Sequence, residues 1–321
     1  MCIRDRPYLL AKVSQGYTLV LNDIHRLDTR LQELAAQLGW ELGCYCAINA
    51  YLTPAKTQAL KPHFDSHDIF AIQCHGSKRW YVQIEGTKLP TLSTHQPVLE
   101  GIDPSQLKEI DLLKGDVMYL PRGSIHYAVA NHEPSLHLTI GLYPIEWKDL
   151  LGAVAEELAD QHLIMRRSVP LGERRTSDLR SVDAVLTLVG SNLPDDLVLR
   201  SMDRLERDLL LRQPQALGGS LESVMNVSLL GDTSTKNLWL QRSQQPIRVS
   251  AQPGGSRVEL AGVGFTIPLA APELILKLIE TEPPFLLSEK LEQPFNPIVQ
   301  VIVETLVQRG VLRLIDQEDR R

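Results

Sequence analysis

His63 and Asp65, in the run His63-Phe64-Asp65, and His126, in Pro121-Arg122-Gly123-Ser124-Ile125-His126, are the residues of this chain whose types and spacing could do metal chemistry. In an extended segment side chains alternate faces, so His63 and Asp65 project side by side into one interior. A histidine from a neighbouring strand completes a facial set of two imidazoles and one carboxylate, which suits iron(II) and leaves coordination positions open. Redox-active iron needs those positions to take up a co-substrate and dioxygen, and a closed structural site lacks them. A bare His-x-Asp also occurs in solvated loops, so the companion residues decide between the two readings.

Lys78 opens the strand-like run Lys78-Arg79-Trp80-Tyr81-Val82. At the mouth of a barrel its ammonium can pair with the distal carboxylate of 2-oxoglutarate; otherwise it is an exposed turn lysine in Gly76-Ser77-Lys78-Arg79. Asn49, Tyr51 and Thr53 alternate on one strand face, turned either toward the same cavity or toward solvent. Thr139 could offer a hydroxyl to the co-substrate, while His137 reads as a packed histidine rather than a fourth ligand. His67 reads as a turn or substrate-contact residue, Asp68 and His75 as bystanders, and Cys44 and Cys46 as ordinary packing.

The elements that must position these groups are short strands, expected at 17–21, 45–52, 68–73, 79–83, 117–120, 127–129 and 135–143, separated by turn clusters. One helix interrupts them from residue 23 or 24 to about 38, with Gly39 as its stop. Ligands on short, regularly spaced strands suggest a double-sheet jelly roll over residues 1–145. From 146 to 235 the period turns helical, with a polar interval around 172–176. Residues 236–321 mix strands at 239, 246–250 and 257–260 with helices at 272–280 and 296–309, in the manner of a small winged-helix-like domain.

The chain has 321 residues, 43% of them hydrophobic, enough for two or three packed units. Its formal net charge of -6 argues against general attraction to nucleic acid, and the helix at 296–309 has no concentrated basic face. Four cysteines without zinc-type spacing fit a reduced, cytoplasmic setting, and no segment approaches the length of an apolar membrane span. A soluble protein that acts on another protein is the expectation.

Several motifs in order carry a resemblance: Asn49-Ala50-Tyr51-Leu52-Thr53-Pro54, Pro62-His63-Phe64-Asp65-Ser66-His67-Asp68, Gly76-Ser77-Lys78-Arg79-Trp80, the run from Gly115 to His126, and Ser135-Leu136-His137-Leu138-Thr139. Together they resemble the JmjC-type ribosomal oxygenases. That resemblance implies a mainly β JmjC/cupin core (double-stranded β-helix), a helical dimerisation region, hence a homodimer, and a C-terminal winged helix. It implies Fe(2+), with 2-oxoglutarate and O2 as co-substrates, held by His63, Asp65 and His126 as metal ligands and Lys78 as the 2-oxoglutarate anchor, with Asn49, Tyr51 and Thr139 at pocket positions. The implied activity is hydroxylation of an arginine or histidine in a ribosomal protein. Demethylation of a methylated side chain and a catalytically silent cupin scaffold are the alternatives. Two departures stand out: residues 1–6 show no pattern where the family carries a longer N-terminal portion, and Gly141 occurs where some relatives place a hydroxyl residue.

Overall fold

The computed structural model describes residues 6–83, 86–91, 102, 104–168, 179–190, 194–213, 239–243, 245–260, 262–280, 284–290 and 297–315. The N-terminal half comprises α1 (Arg6–Ser14), β1 (Leu19–Leu21), α2 (Thr29–Leu42), β2 (Cys44–Thr53), β3 (Asp68–His75), β4 (Lys78–Gln83), β5 (Lys108–Leu112), β6 (Val117–Leu120), β7 (Ile125–Ala130) and β8 (Ser135–Pro144). Its strands form two antiparallel sheets, in the orders β1-β2-β8-β3-β6 and β5-β4-β7. Strands from distant parts of the sequence are neighbours in each sheet, as in a jelly roll.

The alternation within the large sheet separates two environments. Cys44, Cys46 and Ile48 of β2 and Ile140 and Leu142 of β8 turn outward and are buried under α2, against Leu31, Ala35 and Leu38. On the opposite, inner face, Ile69 and Ala71 of β3 with Met118 and Leu120 of β6 pack against Trp80 and Val82 of β4, Leu112 of β5 and Ala128 of β7. The inner face of β2 and β8 is polar instead, with Asn49 paired to Thr139, Tyr51 to His137 and Thr53 to Ser135. Here the covered outer face carries the apolar residues and the interior carries the functional ones, the reverse of a half-exposed strand.

Asp28 caps α2, its carboxylate accepting from the N–H groups of Arg30 and Leu31 at 3.0 and 3.1 Å. The helix does not stop at Gly39; it runs to Leu42 and ends on Gly43, whose φ of 62° supplies the left-handed cap. Gly39 serves close packing instead, since a Cβ there would lie 2.6 Å from the Cys44 carbonyl oxygen. Gly39→Ala should therefore destabilise the fold by about 1–3 kcal/mol, the usual cost of overpacking, measured by urea unfolding.

The helical layer contains α3 (Trp147–Gln161), α4 (Leu179–Gly190) and α5 (Asp195–Arg212). Glu146 and Asp149 form a capping box at the start of α3, and Val154 and Leu158 pack on Leu197 of α5. The expected polar interval at 172–176 lies outside the described residues.

The last unit holds β9 (Trp239–Arg242), β10 (Ile247–Gln252), β11 (Gly255–Leu260), β12 (Val263–Pro268), α6 (Pro272–Ile279), β13 (Phe285–Leu286), α7 (Leu287–Lys290), α8 (Pro297–Gln308) and β14 (Leu312–Leu314). Two three-stranded sheets, β10-β11-β12 and β13-β9-β14, share one apolar core with α6 and α8. Asn296 lies outside the described residues, and no Lys or Arg occurs in α8. Ion pairs from Arg248 to Asp203 of α5 and from Arg313 to Glu33 of α2 link this unit to the rest.

Candidate metal centre

The run His63-Phe64-Asp65 is not a continuous strand. His63 alone forms a bridge, antiparallel to His126 of β7. The two residues exchange both backbone hydrogen bonds, His63 N–H to the His126 carbonyl at 3.1 Å and the reverse at 2.7 Å. Directly opposed residues put their side chains on one face, and the imidazole centroids lie 4.4 Å apart. Phe64 then turns into the apolar interior, 3% exposed, and Asp65 returns to the histidine face.

The bend before β7 locks this arrangement. Gly123, at φ 84°, donates its N–H to the Asp65 carbonyl oxygen at 2.8 Å, and a Cβ at that position would collide with the Thr87 carbonyl oxygen.

His63, Asp65 and His126 each present a ligand atom, and these atoms all lie within 4.8 Å of one another. The His126 Nε2 to Asp65 Oδ2 distance is 3.6 Å. Both imidazoles are oriented through Nδ1, which sits 2.8 Å from the Lys61 carbonyl oxygen in His63 and 3.0 Å from the Ser124 carbonyl oxygen in His126. A carbonyl accepts only, so Nδ1 carries the proton in each ring and Nε2 keeps the lone pair that a metal takes. Burial, with His63 beside it, pushes the pKa of His126 below its usual value, favouring the neutral, ligating form. The donor set fits a divalent metal with open positions, and iron(II) in particular.

Lys78 is not an exposed turn residue. It begins β4 and is fully buried, its Nζ donating to Thr53 Oγ1 at 2.9 Å and lying 3.4 Å from His137 Nδ1. Thr18 Oγ1 in turn donates to Thr53 Oγ1 at 3.2 Å. Among the described residues no carboxylate pairs with the ammonium, and burial pushes its pKa down to about 7.

His137 is the packed histidine expected of it: 3% exposed, stacked on Tyr51 at 4.8 Å and edge-on to Trp80 at 5.4 Å. Its pKa is pushed well down, by burial first and then by Lys78 and His126.

Thr139 is buried on the interior face, between Asn49 and Ala71. Asn49 braces the site, its Oδ1 accepting from the Asp23 N–H at 2.9 Å. His67 stands outside the cluster of three ligands, stacked on Tyr143 at 4.3 Å. Gly141 makes that stack possible, because a Cβ there would lie 2.9 Å from the His67 ring. His67, Tyr143 and Tyr45 line a cavity of about 1120 Å³ that continues to Glu146 of the α3 cap and Asp208 of α5.

Thr18, Trp80 and Tyr143 were not singled out from sequence. Trp80 and Tyr143 each follow an identified residue by two on an interior strand face, and that period was the available signal.

Residues 20–150 match the family model described as the JmjC domain. The bifunctional lysine-specific demethylase and histidyl-hydroxylase NO66 of Drosophila pseudoobscura pseudoobscura is 32% identical over 172 residues, covering 51% of this chain and 18% of that protein. Its Dictyostelium discoideum namesake is 31% identical over 221 residues, covering 60% and 42%. The chain thus spans less than half the length of these curated relatives.

Among solved structures, an X-ray structure of Escherichia coli YcfD superposes with a TM-score of 0.55 at 16% identity, covering 93% of this chain and 79% of that one. The ribosomal oxygenase YcfD in complex with cobalt and 2-oxoglutarate gives 0.51 at 15% identity, covering 93% and 78%. At such identity the likeness is one of fold, and it extends through the helical layer and the last unit. The sequence match, by contrast, falls on the part that bears the triad: residues 20–150 of this chain are similar to the JmjC domain.

Proposed function

We propose that this chain is an iron(II)- and 2-oxoglutarate-dependent oxygenase that hydroxylates an arginine or histidine side chain of a ribosomal protein. The observation that carries the reading is Lys78, a buried ammonium without a carboxylate partner among the described residues, in the interior that also holds three converging metal-ligand atoms. Burying a cation costs stability unless an anion meets it, and a dicarboxylate co-substrate brings one.

In this reading His63, Asp65 and His126 hold the metal, and Lys78, steadied by Thr53, holds the far carboxylate of the co-substrate. Asn49, Tyr51 and Thr139 line the pocket wall. When bound, iron(II) with 2-oxoglutarate and dioxygen supplies the oxidising chemistry, the co-substrate leaving as succinate and carbon dioxide. The protein fixes positions and orients both imidazoles through Nδ1, leaving Nε2 of each toward the metal. A scaffold without activity would have no use for a buried, unpaired lysine.

A demethylase reading draws on the names of the NO66 relatives, which carry both activities. We place the boundaries of the three units at 1–145, 146–235 and 236–321, and read the middle one as the dimerisation region, since Trp147, Leu151 and Met202 expose apolar surface there. The last unit is read as winged-helix-like and engaged with protein rather than nucleic acid. No described helix is long and apolar enough to cross a membrane, and a ribosomal substrate implies a cytoplasmic setting.

The test is incubation of iron-loaded protein with 2-oxoglutarate and ribosomal-protein peptides bearing arginine or histidine. Mass gain of one oxygen on either residue supports the reading; release of formaldehyde from methylated lysine, without such a gain, supports the demethylase.

Lys78 also sets a pH dependence. In the free protein its pKa lies at about 7, and a bound carboxylate raises it, so above that pH binding must take up a proton. Affinity for 2-oxoglutarate should weaken by up to about tenfold per pH unit above 7 and level off below it. Calorimetry in buffers of different ionisation heat should show the proton uptake.

A further inference from the structure

The indole N–H of Trp80 is a donor in the interior without an acceptor among the described residues. The side chain is 4% exposed, and its Nε1 finds no hydrogen-bond partner among the described residues. Buried indole N–H groups ordinarily find one.

Its place along β4 gives the gap a meaning. Lys78, Trp80 and Val82 occupy successive positions on the inner face of the strand, each buried, and on β7 they lie opposite Ala130, Ala128 and His126. The Lys78 row holds the unpaired ammonium, the Val82 row holds the metal ligand His126, and Trp80 stands midway. At about 3.3 Å per residue, the two outer rows are roughly 13 Å apart along the strand.

The indole is 5.8 Å from the His126 ring and 5.4 Å from the His137 ring, centroid to centroid, so it touches both ends of this interval. Its cross-strand neighbour Ala128 and its core neighbour Ala71 are small. A molecule held by the metal at one end and by Lys78 at the other must cross the Trp80 row.

We propose that Trp80 is a further co-substrate-binding residue, its indole N–H donating to an oxygen of the bound 2-oxo acid and its ring forming the floor between the metal triad and Lys78. This rests on the function proposed above. The rival occupant is a water linking Nε1 to Gln73 Oε1, which is also buried and unpartnered while its amide nitrogen donates to the His75 carbonyl and Ser135 Oγ.

The test follows the four tryptophan indole N–H signals of ¹⁵N-labelled full chain, loaded with zinc(II) in place of iron(II), during titration with 2-oxoglutarate. Trp80→Phe assigns the signal, and should that variant misfold, Trp40→Phe, Trp147→Phe and Trp239→Phe assign it by elimination. The expected result is a downfield shift of the Trp80 signal that saturates with 2-oxoglutarate, together with a Kd for 2-oxoglutarate about tenfold or more weaker in folded Trp80→Phe, the size of a hydrogen bond to a charged group. A Trp80 signal that stays in place while 2-oxoglutarate binds overturns the contact alone and leaves the water bridge. A loaded protein that binds no 2-oxoglutarate overturns it together with the proposed function.

Discussion

Asp65→Ala is expected to lower affinity for iron(II) by more than about a hundredfold and to abolish succinate formation, with the fold retained. Asp65 supplies the one carboxylate among the three converging ligands, and its loss leaves two neutral imidazoles facing a dication. Removing even an outer partner of a metal ligand typically costs about 10- to 100-fold in metal affinity, so the ligand itself should cost more. Its side chain is 24% exposed and belongs to no apolar cluster, and the hydrogen bond that holds the segment is donated by the Gly123 N–H to its backbone carbonyl. Unchanged circular dichroism and melting, with manganese(II) binding lost by electron paramagnetic resonance, would check both halves of the expectation.

Lys78→Met should separate stability from function in the opposite direction. The wild-type ammonium is fully buried, with a hydroxyl and an imidazole but no anion among the described residues around it. Methionine fills a similar volume without a charge to desolvate. The variant should therefore melt higher than wild type in the absence of ligand while binding 2-oxoglutarate about 10- to 150-fold more weakly, the loss of one charge-assisted hydrogen bond.

The stability gain has a definite pH window. The folded-state pKa of about 7 lies below the ordinary value of 10.5, so between these the unfolded chain holds the proton and the folded chain releases it. Wild-type stability then rises with pH through that window. The advantage of methionine should be full below pH 7 and shrink as pH rises toward 10. Thermal melts of both proteins at pH 6 and pH 9, with calorimetric titration of 2-oxoglutarate, would measure this. A Lys78→Met protein that melts lower at pH 6 would show that the hydrogen bond to Thr53 outweighs the buried charge.

Much of the site was legible because metal ligation and strand periodicity leave local marks. His63, Asp65 and His126 were read from residue type and alternation, and the structure brings their ligand atoms together. Pairing of His63 with His126 depends on two segments far apart in sequence, which no local pattern discloses.

The burial of Lys78 was hidden for a similar reason. Gly76-Ser77-Lys78-Arg79 has the composition of an exposed turn, and only the sheet packed over β4 makes the lysine interior. The strand at β5, Lys-Glu-Ile-Asp-Leu, was missed because Lys108, Glu109 and Asp111 are exposed and mask the alternation. Part of that charge has a local use, since Arg79 forms paired 2.8 Å hydrogen bonds to Asp111. Gly39 misled as a helix stop because glycine serves close packing as well as left-handed caps, and the Cys44 carbonyl against it is a tertiary fact.

The measurement that tests the central claim most directly is calorimetric titration of 2-oxoglutarate, without oxygen, into protein with and without manganese(II). One-to-one binding that requires the metal, is lost in Asp65→Ala and is about 10- to 150-fold weaker in Lys78→Met is the predicted result. Binding that ignores the metal, or that survives both substitutions, would contradict the account.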